Sequence, residues 1–388
     1  MQSGATKHNA KRRMAPLLSL AGALSLLASA CGGAAAPVQS TPAARPTPVV
    51  TISEISRHPT DMPDSANYTL YQDGRWEKPV ERKGPITIEA HFQIKEGVAQ
   101  VVDGTYMTYW TFNGGIPGPM IRARDGDTLD FFLQNPKDNS MPHNVDFHAA
   151  SGPGGGSVRL DTAPGATSRL RVKLMNPGIY IYHCAFPDIP THLAHGMYGL
   201  VVVEPKDGLP RVDHEYYIMQ SELYTTEGGK SSAILLKNKG LLDYSSEYGN
   251  LEQPTFVMFN GRPDSIAGSR AIGAHGGKVK TGETIRLFVG NAGPNLVSSF
   301  HVIGAMFDKV YVEGSFDLVN KNVQTTLVPA GGAVGIEMMP VVPGEYLMVD
   351  HSIFRTHKGA AGVIHVEGPE NPDVYNSIDY SKGVRGGP

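Results

Sequence analysis

Cysteine is nearly missing: the 388 residues hold two, Cys31 and Cys184. That excludes a scaffold stapled by several disulfides, and each thiol has a better use than pairing with the other. Charge is scarce as well. Asp, Glu, Lys and Arg make up 18% of the chain and the formal net charge is −3, which excludes a nucleic-acid binder of the usual basic kind. Long apolar runs are absent; the best candidate, Leu17 to Leu27, is too short to span a bilayer. No Cys-x-x-Cys-His occurs, so no c-type haem is fused to the chain. No His-x-His pair and no phosphate-binding glycine motif occur either. Glycine (45) and proline (29) are plentiful, which suits a turn-rich all-β protein.

The N-terminus reads as an export segment. Lys11-Arg12-Arg13, the Leu17–Leu27 core and the small residues Ala28-Ser29-Ala30 form a signal peptide over 1–30. Removing it takes away four positive charges and no acid, so −3 becomes −7. Cys31 stands right after the cut, as the lipidated residue of a bacterial lipobox would. Ala28 departs from the Leu such boxes favour, so cleavage without lipidation is the alternative. The expectation is an exported outer-membrane lipoprotein, or else a soluble periplasmic protein. Residues 31–60 follow as the lipidated cysteine and an Ala/Pro linker.

From Ile86 onward, short alternating runs bounded by Gly, Pro and Asn predict strands of a sandwich. The pattern then repeats. Gly126–Asn135 resembles Gly282–Asn291, Asn144–His148 resembles Ser298–Val302, and Pro177–Tyr180 ahead of His183 resembles Pro343–Tyr346 ahead of His351. Two tandem β-sandwiches are expected, over 61–210 and 211–388. Cysteine occurs only in the first, so only the first can supply a thiolate to a metal.

The chemistry gathers in Tyr180–Tyr198, which carries His183, Cys184, His192, His195 and Met197, and in Met141–His148, which carries His143, Asp146 and His148. Successive strand residues point to opposite faces. His183 and Cys184 must therefore diverge, as must His143 and His148. One set, His143, Cys184, His192 and Met197, turns inward: thiolate, two imidazoles and a thioether, the ligand chemistry of an electron-transfer copper. The other, Asp146, His148 and His183, turns outward and needs a third imidazole. His351 is the candidate, most easily supplied by a neighbouring subunit of a cyclic oligomer. Three histidines with an open position make a catalytic metal site. His301 is expected to pack near that site without ligating. His195 is expected on a loop surface, with His58, His91, His214 and His357, and Gly152–Gly156 to be a flexible loop.

From about residue 85 to 375 the chain resembles the copper-containing nitrite reductases, in particular their lipid-anchored outer-membrane branch. The resemblance implies a homotrimer of two-cupredoxin, Greek-key subunits that reduces nitrite to nitric oxide and water. It implies a type 1 copper in each subunit, on His143, Cys184, His192 and Met197. It implies a type 2 copper at each interface, on His148, His183 and His351. The electron would come from a separate c-type cytochrome or small cupredoxin. Asp146 matches the family's catalytic aspartate and His275, ahead of Gly282-Glu283, its catalytic histidine. Near His275 the chain departs from the pattern. The loop after Phe259-Asn260-Gly261 is longer, Ala274 replaces a common Asp, and Gly277 replaces an aliphatic residue. A laccase-like oxidase lacks support, because its His-x-His pairs and His-Cys-His are missing. A plain electron carrier using the inner copper alone is a second rival, which one copper per subunit and no nitrite turnover would favour. A zinc hydrolase would leave the redox site and the His183–Cys184 link unexplained.

Overall fold

Alternation along Thr87–Val102 builds the first sandwich. Ile88, Ala90, Phe92 and Ile94 are buried and the residues between them half-exposed, because the pleat sends neighbours to opposite faces. The computed structural model describes residues 49–52, 84–229, 233–274 and 277–376. The expected signal peptide, Cys31 with all of its linker but residues 49–52, and His275 lie outside the described residues.

One sheet of the first sandwich holds Thr87–Val102, Thr105–Phe112, Thr128–Gln134 and Thr167–Lys173. The facing sheet orders Ile121–Arg124, Tyr198–Glu204, Gly178–His183 and Asp146–Phe147. Phe92, Phe112, Phe131, Phe147 and Tyr182 fill the space between them. Phe131 meets Phe92 and Phe147 edge-on at 4.9 and 4.8 Å between ring centroids, the geometry that ring quadrupoles favour.

The second sandwich repeats this plan. The order Val279–Lys280, Ala361–Glu367, Gly344–Asp350, Ser298–Ile303 matches the facing sheet of the first, with Thr325–Val328 added. Its other sheet holds Phe256–Phe259, His214–Leu223, Ile285–Gly293, Gly332–Met338, Phe307–Tyr311 and Val319–Val323. The three repeats seen in the sequence thus fall on equivalent strands. The α-helices among the described residues are short, the longest being Ile189–Ala194, and none is long and apolar enough to cross a membrane.

A third apolar cluster joins the sandwiches. Ile179, Ile181, Tyr198, Leu200 and Val202 meet Tyr217, Met219, Phe288 and Ala333. Gly178–His183 and Tyr198–Glu204 are therefore covered on both faces, and their near-continuous burial is that of strands with no solvent side. Parity along Gly178–His183 is set by this. Residues 180 and 182 face the first core, while 179 and 181 face the second sandwich.

A ladder of alternating charge runs beside the same seam. Glu204 takes Arg122 and Arg124, Glu215 takes Arg122 and Arg286 at 2.6 Å each, and Glu337 takes Lys309 at 2.8 Å as well as Arg286. Arg286 also donates to the Pro210 carbonyl at 2.6 Å, fixing the crossing chain. It is 1% exposed, so removing it would strand two carboxylates away from water. Arg286→Met is expected to cost about 3–5 kcal/mol, read as a lower unfolding midpoint; an unchanged midpoint would show that the ladder contributes no stability.

Candidate metal centres

The inner cluster lies at one end of the first core. Cys184 follows Gly178–His183 with even parity and is wholly buried. Its N–H donates to the Met197 carbonyl at 3.0 Å and the Met197 N–H to the His192 carbonyl at 3.2 Å, so the segment between them folds back over the cysteine. That segment is not only loop. Pro190 opens the helix Ile189–Ala194, where its missing N–H and fixed φ are harmless, and the helix delivers His192. Gly196 then turns the chain at φ 107 against Ile116, where a Cβ would meet a side chain at 2.7 Å.

His143 Nδ1 and His192 Nδ1 lie 3.2 Å apart, and Cys184 Sγ lies 3.9 Å from His143 Nδ1. Met197 is fully buried in the first core, in the same apolar cluster as Cys184. The tautomer of His143 is fixed from outside: Nε2–H donates to Glu96 Oε1 at 3.0 Å, leaving the Nδ1 lone pair facing inward. Burial would raise the Glu96 carboxyl, but hydrogen bonds from Ser140 and His143 outweigh it and hold the group below its usual value. Burial, and then the neighbouring histidines, push His192 down to about 3, so its imidazole is neutral and able to ligate. Burial pushes the Cys184 thiol up to about 11, against the N–H groups of Asn144 and Phe186 that point at its sulfur.

The outer cluster gathers Asp146, His148 and His183. Asp146 pairs with His183 across the ladder and so shares its face. His183, at odd parity, turns to the side of Ile179 and Ile181, toward the second sandwich. His148 Nε2 and His183 Nε2 lie 3.2 Å apart. His183 Nδ1 donates to the Cys184 carbonyl at 3.0 Å, and the His148 ring donates to the Gly331 carbonyl of the second sandwich. Burial, then His183, keeps His148 below its ordinary value. Both inner-facing nitrogens are thus aimed by carbonyls behind them, the support that metal-ligating histidines use.

Both sets fit a metal. Nitrogens 3.2 Å apart can both bind one ion at ordinary metal–nitrogen lengths with an angle of about 100°. Sulfur and nitrogen 3.9 Å apart give roughly 125° on the same reckoning, near trigonal.

His351 does not join the outer set within one chain. It is exposed and its ring stands 5.3 Å from that of His301. Its loop is nonetheless well held. Buried Asp350 accepts from the N–H groups of Ser299 and Ser352 and from Gln220 and Arg355, the last at 2.6 Å. His301 packs beside His351. His195 is a correction: it is 6% exposed and stacked on Trp110 at 4.1 Å with 13° between planes. The helix before it turns its ring inward, which a loop reading could not show. Gly152–Gly156 is another correction. Gly154 and Gly155 take φ of 59° and 53°, and a Cβ on Gly155 would lie 1.8 Å from Asp146 Oδ1, so this turn packs directly on Asp146. The run of three glycines was the available signal. Glu96, Trp110 and Gly331 carried none, since their roles arise only from long-range pairing.

A family model described as multicopper oxidase matches residues 93–208. The copper-containing nitrite reductase of Neisseria gonorrhoeae is 50% identical over 296 residues, covering 76% of this chain and 72% of the relative. The chain belongs to the copper-containing nitrite reductases. A curated member from Cereibacter sphaeroides is 34% identical over 79% of this chain and 83% of its own. The solved copper nitrite reductase of Nitrosomonas europaea superposes with a TM-score of 0.60 at 32% identity, covering 74% of this chain and 96% of that one. Membership in this oxidoreductase family carries the two-cupredoxin fold with it, and the copper of the family name has two fitting donor sets in this chain.

Proposed function

We propose that this chain reduces nitrite to nitric oxide and water with copper at both clusters. The reading is carried by one observation: His183 and Cys184, joined by a single peptide, belong to two different donor sets. A structural metal would have no use for such a link, whereas an electron inlet joined to a reaction centre requires one. His143, Cys184, His192 and Met197 hold the type 1 copper. His148 and His183 hold the type 2 copper with His351 from a neighbouring copy in a homotrimer. When bound, copper supplies a one-electron store at the inner set and an electrophilic, electron-delivering centre at the outer one.

Nitrite, two protons and one electron give nitric oxide and water, so the residues beside the outer set must handle protons. Asp146, held by the turn at Gly155, hydrogen-bonds the anion and passes protons to the oxygen that leaves as water; His275 shares that task. The surface around His351 supports coverage by a second copy. Phe354 is 79% and Leu327 64% exposed, with Ile303 and Ile353 nearby, an apolar face of the kind that marks an interface. The electron comes from a separate c-type cytochrome or small cupredoxin in denitrification. Cys31 tethers the exported protein to the outer membrane, or the chain stays soluble in the periplasm.

The deciding experiment is nitrite reduction by copper-loaded protein with an artificial donor, with metal counted per subunit. Two coppers and turnover are expected; one copper without turnover would leave an electron carrier. Asp146→Asn is expected to slow turnover by about 10²–10⁴-fold while colour and copper count stay unchanged. Undiminished turnover would remove Asp146 from the proton path.

A further inference from the structure

Four histidines sit at the two donor sets, and the partners behind three of their rings differ in charge. His183 and His148 lean on backbone carbonyls, of Cys184 and Gly331. His143 leans on a carboxylate, with Nε2 3.0 Å from Glu96 Oε1. Glu96 is itself clamped. The Ser140 hydroxyl donates to its Oε2 at 2.6 Å, and the Ser140 N–H reaches both oxygens at 2.9 and 3.0 Å. Its side chain is 13% exposed and that of His143 not at all, so little water screens the pair. The clamp joins distant parts of the chain, since Glu96 lies on Thr87–Val102 opposite Trp110, whose ring lies edge-on to His143 at 5.6 Å.

We infer that Glu96 is a positioning residue of the inner centre, which fixes the tautomer of His143 and lowers the reduction potential there. A carboxylate behind a ligating imidazole raises the ligand's basicity and stabilises the more highly charged, oxidised metal. A lower potential at the inlet favours passing the electron on to the outer set. The inference rests on the proposed reading of the inner set as the type 1 copper site.

Glu96→Gln keeps an oxygen to accept from His143 and removes the charge. In the copper-loaded protein it should keep the thiolate-to-copper band and shift the inner equilibrium about tenfold toward reduced copper, ~59 mV upward for one electron. Glu96→Asp should restore part of the shift. Glu89→Gln, on the same strand but paired with His91, should leave the potential unmoved. Loss of the band in a folded Glu96→Gln protein would overturn the inference. An unmoved potential, or an equal shift in Glu89→Gln, would overturn it. Should Glu96→Gln not fold, Ser140→Ala decides. Freed of the hydroxyl donor, Glu96 accepts more strongly from His143 and the potential should fall; no change overturns the inference. A wild-type protein with no such band would instead sink the proposed function.

Discussion

Cys184→Ala is expected to give a folded, colourless protein that binds one copper per subunit in place of two and whose nitrite turnover falls by more than about 100-fold, beyond what loss of a supporting residue costs. The fold should survive because a buried cysteine packs as a small hydrophobe and its neighbours in the first core, Phe147, Tyr182 and Val201, do not depend on its sulfur. Colour goes because Cys184 is the one cysteine among the described residues and Met197 offers only a thioether. Turnover goes because the outer set keeps its ligands and loses its inlet. A pH signature accompanies this. Burial holds the metal-free thiol up to about 11, so at neutral pH the cysteine carries its proton and loading the inner set must expel it. Copper uptake at that set should therefore tighten as pH rises, with one proton released, and the release should vanish in Cys184→Ala. Retained colour, or turnover close to wild type, would overturn the assignment of the inner set.

The two donor sets were legible because they depend on a local rule. His183 ends the strand Gly178–His183 and Cys184 follows it with opposite parity. In the other segment only Asp146–Phe147 is strand, so Asp146 sides with His183 by pairing, while His143 and His148 are placed by the chain on either side of it. The repeat was legible for a similar reason, since Gly126–Asn135 and Gly282–Asn291 keep the same turn and the same apolar alternation. What escaped depends on contacts made across the chain. Glu96 reaches His143 only once Thr87–Val102 has folded against the Met141–His148 segment. Gly331 finds His148 only when the second sandwich docks on odd-parity Ile179 and Ile181. His195 was misread because one short helix, opened by Pro190, decides whether its ring meets water or Trp110. Arg286, wholly buried among Glu215 and Glu337, runs against the expectation that charge lies outside, and nothing local in Gly282–Asn291 announces its partners.

Mixing two inactive variants should restore activity if the outer set is shared between copies. His148→Ala removes one side of the interface and His351→Ala the other, and each alone is expected to lose turnover by more than about 100-fold while keeping its colour. In a cyclic assembly every interface takes His148 and His183 from one copy and His351 from the next. Co-expressed in equal amounts, the variants assemble at random. A given interface is intact only when its first member is the His351→Ala chain and its second the His148→Ala chain. That arrangement has a chance of about one in four, so about a quarter of wild-type turnover should return, whatever the number of copies in the ring. A site closed within one chain predicts no recovery, because neither chain then holds a complete set. The exposed position of His351, against buried His183, is what gives the first outcome its physical basis. Each inner set stays whole in both variants, so unchanged colour across all the samples separates failure of the interface from failure of the fold.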